Sequence, residues 1–360
     1  MTSQDHINSP ESDEMNRRDF MRKGALVVGA SATLVTLGGL LDRASLAAGS
    51  ERGPKSVRAL GAGKTIGVSL NGTADYSKNL ASGIAEALLG TRYKLTIKQA
   101  GLTSSTEVTN IQSLVDEGVV GIIIEPVATA SAGEGAKYAY KHGVPVTNAL
   151  WAGNTGYTEF YLAGANVNSV RGGHLIAAWL KKNAKPGPVC VVQGILGQGF
   201  TDNFNTGLLD KLKGSAYPAE VKEEGKYTPS LAITIVQSAL TAHPDIKIVV
   251  DYAAVMGDAI SGWLKSKKIT DVVHITSDGD ATTLHYLSTP YLTADRYYSA
   301  AQTGYVCAMA IRHKLEKGID RPFKLAVDQS MMTGANMKKT LDRDPMYYKK
   351  EFSKVAKAGF

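Results

Sequence analysis

Gly121-Ile122-Ile123-Ile124-Glu125-Pro126 places three β-branched residues in a row and ends them on a carboxylate beside a proline. A run that is apolar on both faces of an extended chain predicts a strand buried on both sides of a parallel sheet. The flanking sequence agrees. Upstream, Thr65–Leu70 and Lys94–Gln99 read as strands, each followed by an amphipathic helix, Ser77–Leu89 and Ser104–Glu117. In the second helix Val108, Ile111, Leu114 and Val115 recur at helical spacing. Downstream come helix Ala130–His142 and strand Val144–Thr147. The unit then repeats: helix Val170–Asn183, strand Val189–Val192, helix Asn203–Lys213, strand Glu220–Glu224, helix Ser230–Thr241, strand Ile246–Val250, helix Met256–Ser266 and strand Val272–Ile275. Strict alternation implies right-handed crossovers and an α/β fold with doubly wound parallel sheets.

One sheet of so many strands would be large, and two lobes are the better reading. Open parallel sheets take ligands beyond the carboxyl ends of their strands. Two lobes facing each other would pool those ends in one cleft. The ends read Asn71 to Tyr76, Glu125-Pro126, Asn148 to Trp151, Gln193 to Asn205, Asp251-Tyr252 and Ser277 to Asp280. Amides and carboxylates take paired hydroxyls, and aromatic faces cover the C–H faces of a ring, so the cleft suits a hydroxyl-rich ligand.

The first 48 residues do not read as part of the fold. Asn16-Arg17-Arg18-Asp19-Phe20-Met21-Arg22-Lys23 is basic, Gly24–Leu41 is free of charge, and Ala44-Ser45-Leu46-Ala47-Ala48 is small. That order is a secretory signal, and its paired arginines resemble a twin-arginine signal. Residues 49–63 read as a polar linker, and the expected location is the periplasm. From Gly49 onward 35 basic residues stand against 27 acidic ones. They are scattered apart from short runs such as Lys265-Ser266-Lys267-Lys268, which describes a solvated surface and not a nucleic-acid site. Cys190 lies in an apolar strand and Cys307 in an apolar helix stripe, where both read as small core residues and no spacing asks for a disulfide.

Several stretches taken in order carry a family likeness. They are Thr65-Ile66-Gly67-Val68, Asn110-Ile111-Gln112-Ser113-Leu114 leading to Gly121–Pro126, Gly143-Val144-Pro145-Val146, Gln193-Gly194-Ile195-Leu196-Gly197, Leu240-Thr241-Ala242-His243-Pro244-Asp245 and Ser277-Asp278-Gly279. Across Lys64 to Met332 the chain resembles the type I periplasmic binding proteins, and within them the ribose-binding branch that serves sugar importers. The resemblance implies two lobes joined by three hinge crossings, 64–165 plus 299–325 and 166–298 plus 326–360, with the tail through Tyr347–Phe352 as a terminal helix. It also implies closure around a sugar or polyol, a membrane permease of an ABC importer as partner, a monomer, and no cofactor.

The resemblance carries site residues one at a time. Tyr76 matches an aromatic after the first strand that stacks on one face of the sugar, and Tyr227 matches a second on the opposite lobe. Read without the family, Tyr76 is a helix-start staple and Tyr227 a loop tyrosine. Asp278 matches a carboxylate that accepts from sugar hydroxyls, or it caps the helix beginning at Ala281. Asn71 falls at the end of the first strand. Departures point to a different sugar. An Asp-Arg pair of the family is replaced by Asn148-Ala149-Leu150-Trp151. A family arginine falls near Asp202-Asn203, an asparagine falls on Ala253, and a glutamine falls on Tyr298. Fewer arginines and more aromatics imply a deoxysugar, a cyclic polyol or a modified sugar.

Other chemistries find no support. Gly194–Gly199 has neither the G-x-G-x-x-G nor the Gly-Lys-Ser/Thr spacing of a phosphate loop and reads as a tight turn. Asp278-Gly279-Asp280 lacks the later residues of a calcium loop. No nucleophile–base motif stands out, and His174, His243 and His313 are scattered, so no enzyme is expected. A sensory receptor using the same clamp stays open as the alternative, with an exported enzyme on the same scaffold behind it.

Overall fold

The computed structural model describes residues 64–150, 156–318 and 323–346. The signal, the linker, Trp151 and the tail from Tyr347 lie outside them. Among the described residues two six-stranded sheets form.

The first sheet holds β1 (Thr65–Leu70), β2 (Lys94–Gln99), β3 (Gly121–Ile124), β4 (Val146–Asn148), β5 (Ala163–Asn166) and β11 (Phe323–Ala326), in the order β11-β5-β4-β3-β1-β2, all parallel. The second holds β6 (Val189–Gln193), β7 (Ala219–Glu224), β8 (Ile248–Asp251), β9 (Val273–Ser277), β10 (Ala294–Tyr298) and β12 (Gln329–Met332), in the order β12-β10-β9-β8-β6-β7. Ile122, Ile123 and Ile124 are fully buried, as a central parallel strand requires. Each sheet places its second strand outside its first, so the strand order reverses between β1 and β3 and again between β6 and β8. Those are the points where such sheets open a crevice for ligands.

Strict alternation fails at one edge. β12 pairs antiparallel with β10, from Asp295 opposite Met332 to Tyr298 opposite Gln329. It follows β11 after only two residues, too few for the helical crossover that a parallel strand needs.

Helices cover both faces of each sheet. In the first lobe these include α1 (Asp75–Leu88), α2 (Ser104–Asp116) and α3 (Thr129–Lys141). The second carries α4 (Ser169–Asn183), α5 (Gly199–Leu212), α6 (Pro229–Ala242), α7 (Ala254–Lys267) and short α8 (Ala281–Tyr286). α9 (Ala300–Lys317) returns to the first lobe, and short α10 (Met337–Leu341) follows β12. α9 packs on α1 so closely that a Cβ on Gly83 would meet the Ala301 carbonyl, and one on Gly304 the Leu80 carbonyl. No helix among the described residues is long and apolar enough to cross a membrane.

The chain passes between lobes three times: from β5 to α4, at Ser299 between β10 and α9, and from β11 to β12. Gln329 binds two of these crossings together, donating to the Asn168 carbonyl at 2.8 Å and accepting from Arg296 Nη1 at 3.2 Å. Cys190 and Cys307 are free and buried, and burial pushes each thiol up to about 12.

Candidate functional site

Beside the second crossing, Tyr76, Asn79, Asp278, Asp280, Tyr298 and Ser299 line a narrow crevice. Its volume, about 10 Å³, is the room of a single water. Tyr76 enters from the start of α1 and packs on Tyr298 at the end of β10, with ring centroids 5.8 Å apart. The Tyr76 hydroxyl is buried without a well-formed hydrogen bond, and burial raises its pKa well above the usual phenol value.

Asp278 stands where β9 ends, with φ +91°, a left-handed conformation that a non-glycine residue holds only at some cost. Its Oδ2 accepts from the Ala254 amide at 3.3 Å, while Oδ1 is buried with no hydrogen-bond partner. Burial pushes the Asp278 carboxyl up to about 7, with the nearby Arg296 pulling against it. Arg296 Nη2 lies 3.9 Å from Oδ1, too far for a hydrogen bond, and is itself unpartnered. The helix cap that Asp278 could have supplied is made by Asp280, which accepts from the Thr283 amide at 3.2 Å.

Arg296 is a buried strand residue caged by aromatics. Its guanidinium carbon lies 4.4, 4.9 and 5.3 Å from the ring centres of Tyr298, Phe204 and Phe200, a cation–π setting that offsets part of its desolvation. Nε donates to Ser277 Oγ at 3.3 Å.

On the first lobe Asn71 ends β1. Its amide donates to Glu125 Oε2 at 3.2 Å, and its side-chain oxygen accepts from the Ser77 hydroxyl at 3.3 Å. Glu125 accepts from Ser77 as well, at 3.1 Å, and burial pushes its carboxyl up to about 8. One level below, Glu107 accepts from the Val127 amide at 2.8 Å and from the Ser131 hydroxyl.

Tyr227 lies on the loop after β7 with φ +56°. Its hydroxyl meets Thr201 Oγ1 at 2.9 Å and donates to Gln198 Oε1. The phenol occupies the place a Cβ on Gly194 would take, so the glycine is what lets it approach. The charges of Asp278 and Glu125 both raise its pKa, although burial is the larger cause.

The predicted residues therefore divide. Tyr76, Asp278 and Tyr298 share one crevice, with Asn71 on the adjoining strand tip and Tyr227 within electrostatic reach of Asp278. Asn148 does not join them. β4 runs through it, and its side chain turns back to accept from the Leu150 amide at 2.9 Å. Asp202 also falls away from the crevice. α5 begins at Gly199 and not at Asn203, which puts Asp202 on the exposed side of the first turn, accepting from the Gly197 amide at 3.1 Å. Asn203, half-buried on the same turn, is not among the residues lining the crevice.

Arg296 and Gln198 were not anticipated as site residues. The signal for Arg296 was an Asp-Arg pair inside a strand whose other residues suit a core. Among the described residues no group of three or more His, Cys, Asp or Glu could hold a metal ion.

The chain resembles the ribose import binding protein RbsB of Bacillus subtilis (strain 168), at 25% identity over 269 residues, 72% of this chain and 86% of that protein. Its fold is similar to a solute-binding protein from Agrobacterium vitis solved with D-fucose, with a TM-score of 0.71 at 17% identity over 77% of this chain and 97% of that one. A solute-binding protein from Burkholderia graminis C4D1M solved with D-arabinose gives a TM-score of 0.70 at 18% identity, covering 77% and 97%. A family model for the periplasmic binding protein domain matches residues 66–319, and the chain belongs to that family.

Proposed function

We propose that the protein is an extracytoplasmic receptor, not an enzyme, which captures a sugar or polyol by lobe closure and delivers it to an ABC importer. The observation that carries this reading is the pair of unpartnered oxygens, Asp278 Oδ1 and the Tyr76 hydroxyl, buried at facing strand tips beside the Tyr298 ring. A buried carboxylate oxygen with no donor is costly and is satisfied by a ligand hydroxyl. The aromatic surface beside it covers the C–H faces of a ring. Relatives whose names or titles mention ribose, D-fucose and D-arabinose support the same ligand class.

Closing the lobes buries both partners of each bond and excludes water, while the three crossings absorb the backbone change. Asp278 accepts from a hydroxyl, and Tyr76 and Tyr227, from opposite lobes, bound the ring. The receptor acts as a monomer in the periplasm, reached through the twin-arginine route.

A thermal-shift screen of D-ribose, D-arabinose, D-fucose and myo-inositol tests the ligand class, with at least one expected to raise the melting temperature by mass action. No shift with any sugar or polyol would overturn it. Uptake in cells lacking the gene tests delivery.

A further inference from the structure

The lobes are also joined by bonds at the crevice rim that involve no ligand. Gln198 Nε2 donates to the Pro126 carbonyl at 2.9 Å. The Gly199 amide donates to Thr129 Oγ1 at 2.9 Å, and the Thr129 amide donates to the Gly197 carbonyl at 3.3 Å. Pro126 follows β3 and Thr129 opens α3, whereas Gly199 opens α5. All three bonds therefore cross from one lobe to the other and form only when the lobes are together.

Gln198 is 1% exposed, and both ends of its amide are used. While the nitrogen reaches the opposite lobe, Oε1 accepts from the Tyr227 hydroxyl and lies 3.3 Å from the Thr201 hydroxyl, also as acceptor. A carbonyl can only accept and the phenol here donates, so the residue between them must donate at one end and accept at the other. A side-chain amide does this without charge, which matters at a buried position.

The geometry points to Gln198 as a positioning residue that fastens the closed lobes and holds the Tyr227 ring in place in one act, without itself touching the ligand. The inference rests on the clamp reading above. It predicts that closure and ring placement are linked, because one amide serves both. A neutral buried hydrogen bond shifts an equilibrium by up to about tenfold.

The test places spin labels at Lys141→Cys and Lys211→Cys, exposed positions on α3 and α5, in the full chain, where the buried native thiols stay unlabelled. Inter-lobe distances are measured without ligand and with D-arabinose. Gln198→Leu loses both bonds. Gln198→Glu keeps the acceptor for Tyr227 but sets an oxygen against the Pro126 carbonyl. The ratio of short to long distances should fall about tenfold in both variants and about threefold in Thr129→Val, which keeps Gln198 and Tyr227 intact should the core variants fold poorly. Superimposable distributions for the native chain and all folded variants overturn the inference, as does a native chain with no short-distance population in either condition. If the sugar reading alone is wrong, D-arabinose leaves the distances unmoved while the variant effects persist.

Discussion

The tips of β3 and β9 each carry a buried carboxylate, and the fold treats them in opposite ways. At β3, Glu125 is 1% exposed and both of its oxygens are occupied, by the Asn71 amide and the Ser77 hydroxyl. Glu107 beneath it is occupied likewise. At β9, Asp278 has one oxygen held by the Ala254 amide and the other open, 3.9 Å from an arginine whose nearest nitrogen is open too. One lobe presents a finished frame. The other presents unsatisfied chemistry on a strained backbone, and strain of that kind persists where the surroundings enforce it for use. The comparison teaches that burial alone does not mark a binding group, whereas burial with an unmet hydrogen bond does.

The largest effect expected from breaking this contrast comes from Asp278→Asn, which removes the charged acceptor. It should weaken sugar binding by about 2–3 kcal/mol, the scale of a hydrogen bond to a charged group, with calorimetry as the measure. Affinity within a factor of two of the native chain would move the site elsewhere.

Tyr227→Ala comes next, with a loss of about 1–3 kcal/mol for a missing aromatic face. An unchanged dissociation constant would remove Tyr227 from the site.

Glu125→Gln should leave affinity nearly unchanged and act on stability instead. Burial lifts the Glu125 pKa from 4.5 to about 8, so between those values the folded chain binds more protons than the unfolded one. Stability from this group is fully present below about pH 4 and is lost as pH rises through 8. The melting temperature of the variant should therefore decline less steeply from pH 5 to 8 than that of the native chain. Parallel declines would mean that Glu125 is not the group responsible.

The smallest effect belongs to Asp202→Ala, within about 0.5 kcal/mol on binding, because its carboxylate faces solvent and serves only a local turn. A tenfold loss of affinity would return it to the site.

Much of the fold was legible because its determinants are local. Three isoleucines in a row announce a doubly buried strand, and Val108, Ile111 and Leu114 announce a helix face. The antiparallel β12 was not legible, since its direction is set by a two-residue connection from β11 and not by its own residues. In the site, Tyr76, Asp278 and Tyr298 could be found because they follow strand ends. Asp202 misled because Gly199-Phe200-Thr201 reads as loop while the chain is already helical there. Two aspartates two residues apart left the helix cap ambiguous until Asp280 proved to be the one that takes the Thr283 amide. Arg296 was obscured by a general expectation: a guanidinium in a strand reads as surface unless the aromatic cage around it, drawn from α5 and β10, is known in advance.

The path of α9 has a bearing on biosynthesis. This helix and β11 complete the first lobe, yet they are encoded after the whole second lobe. On the ribosome, Gly83 must wait for Ala301 before α1 gains its close neighbour, so the earliest-made half stays unfinished until roughly nine-tenths of the chain has emerged. Contacts this distant in sequence slow folding and leave apolar helix surface uncovered in the meantime. Translation that stalls before codon 300 should thus yield a nascent chain with a protease-sensitive first lobe.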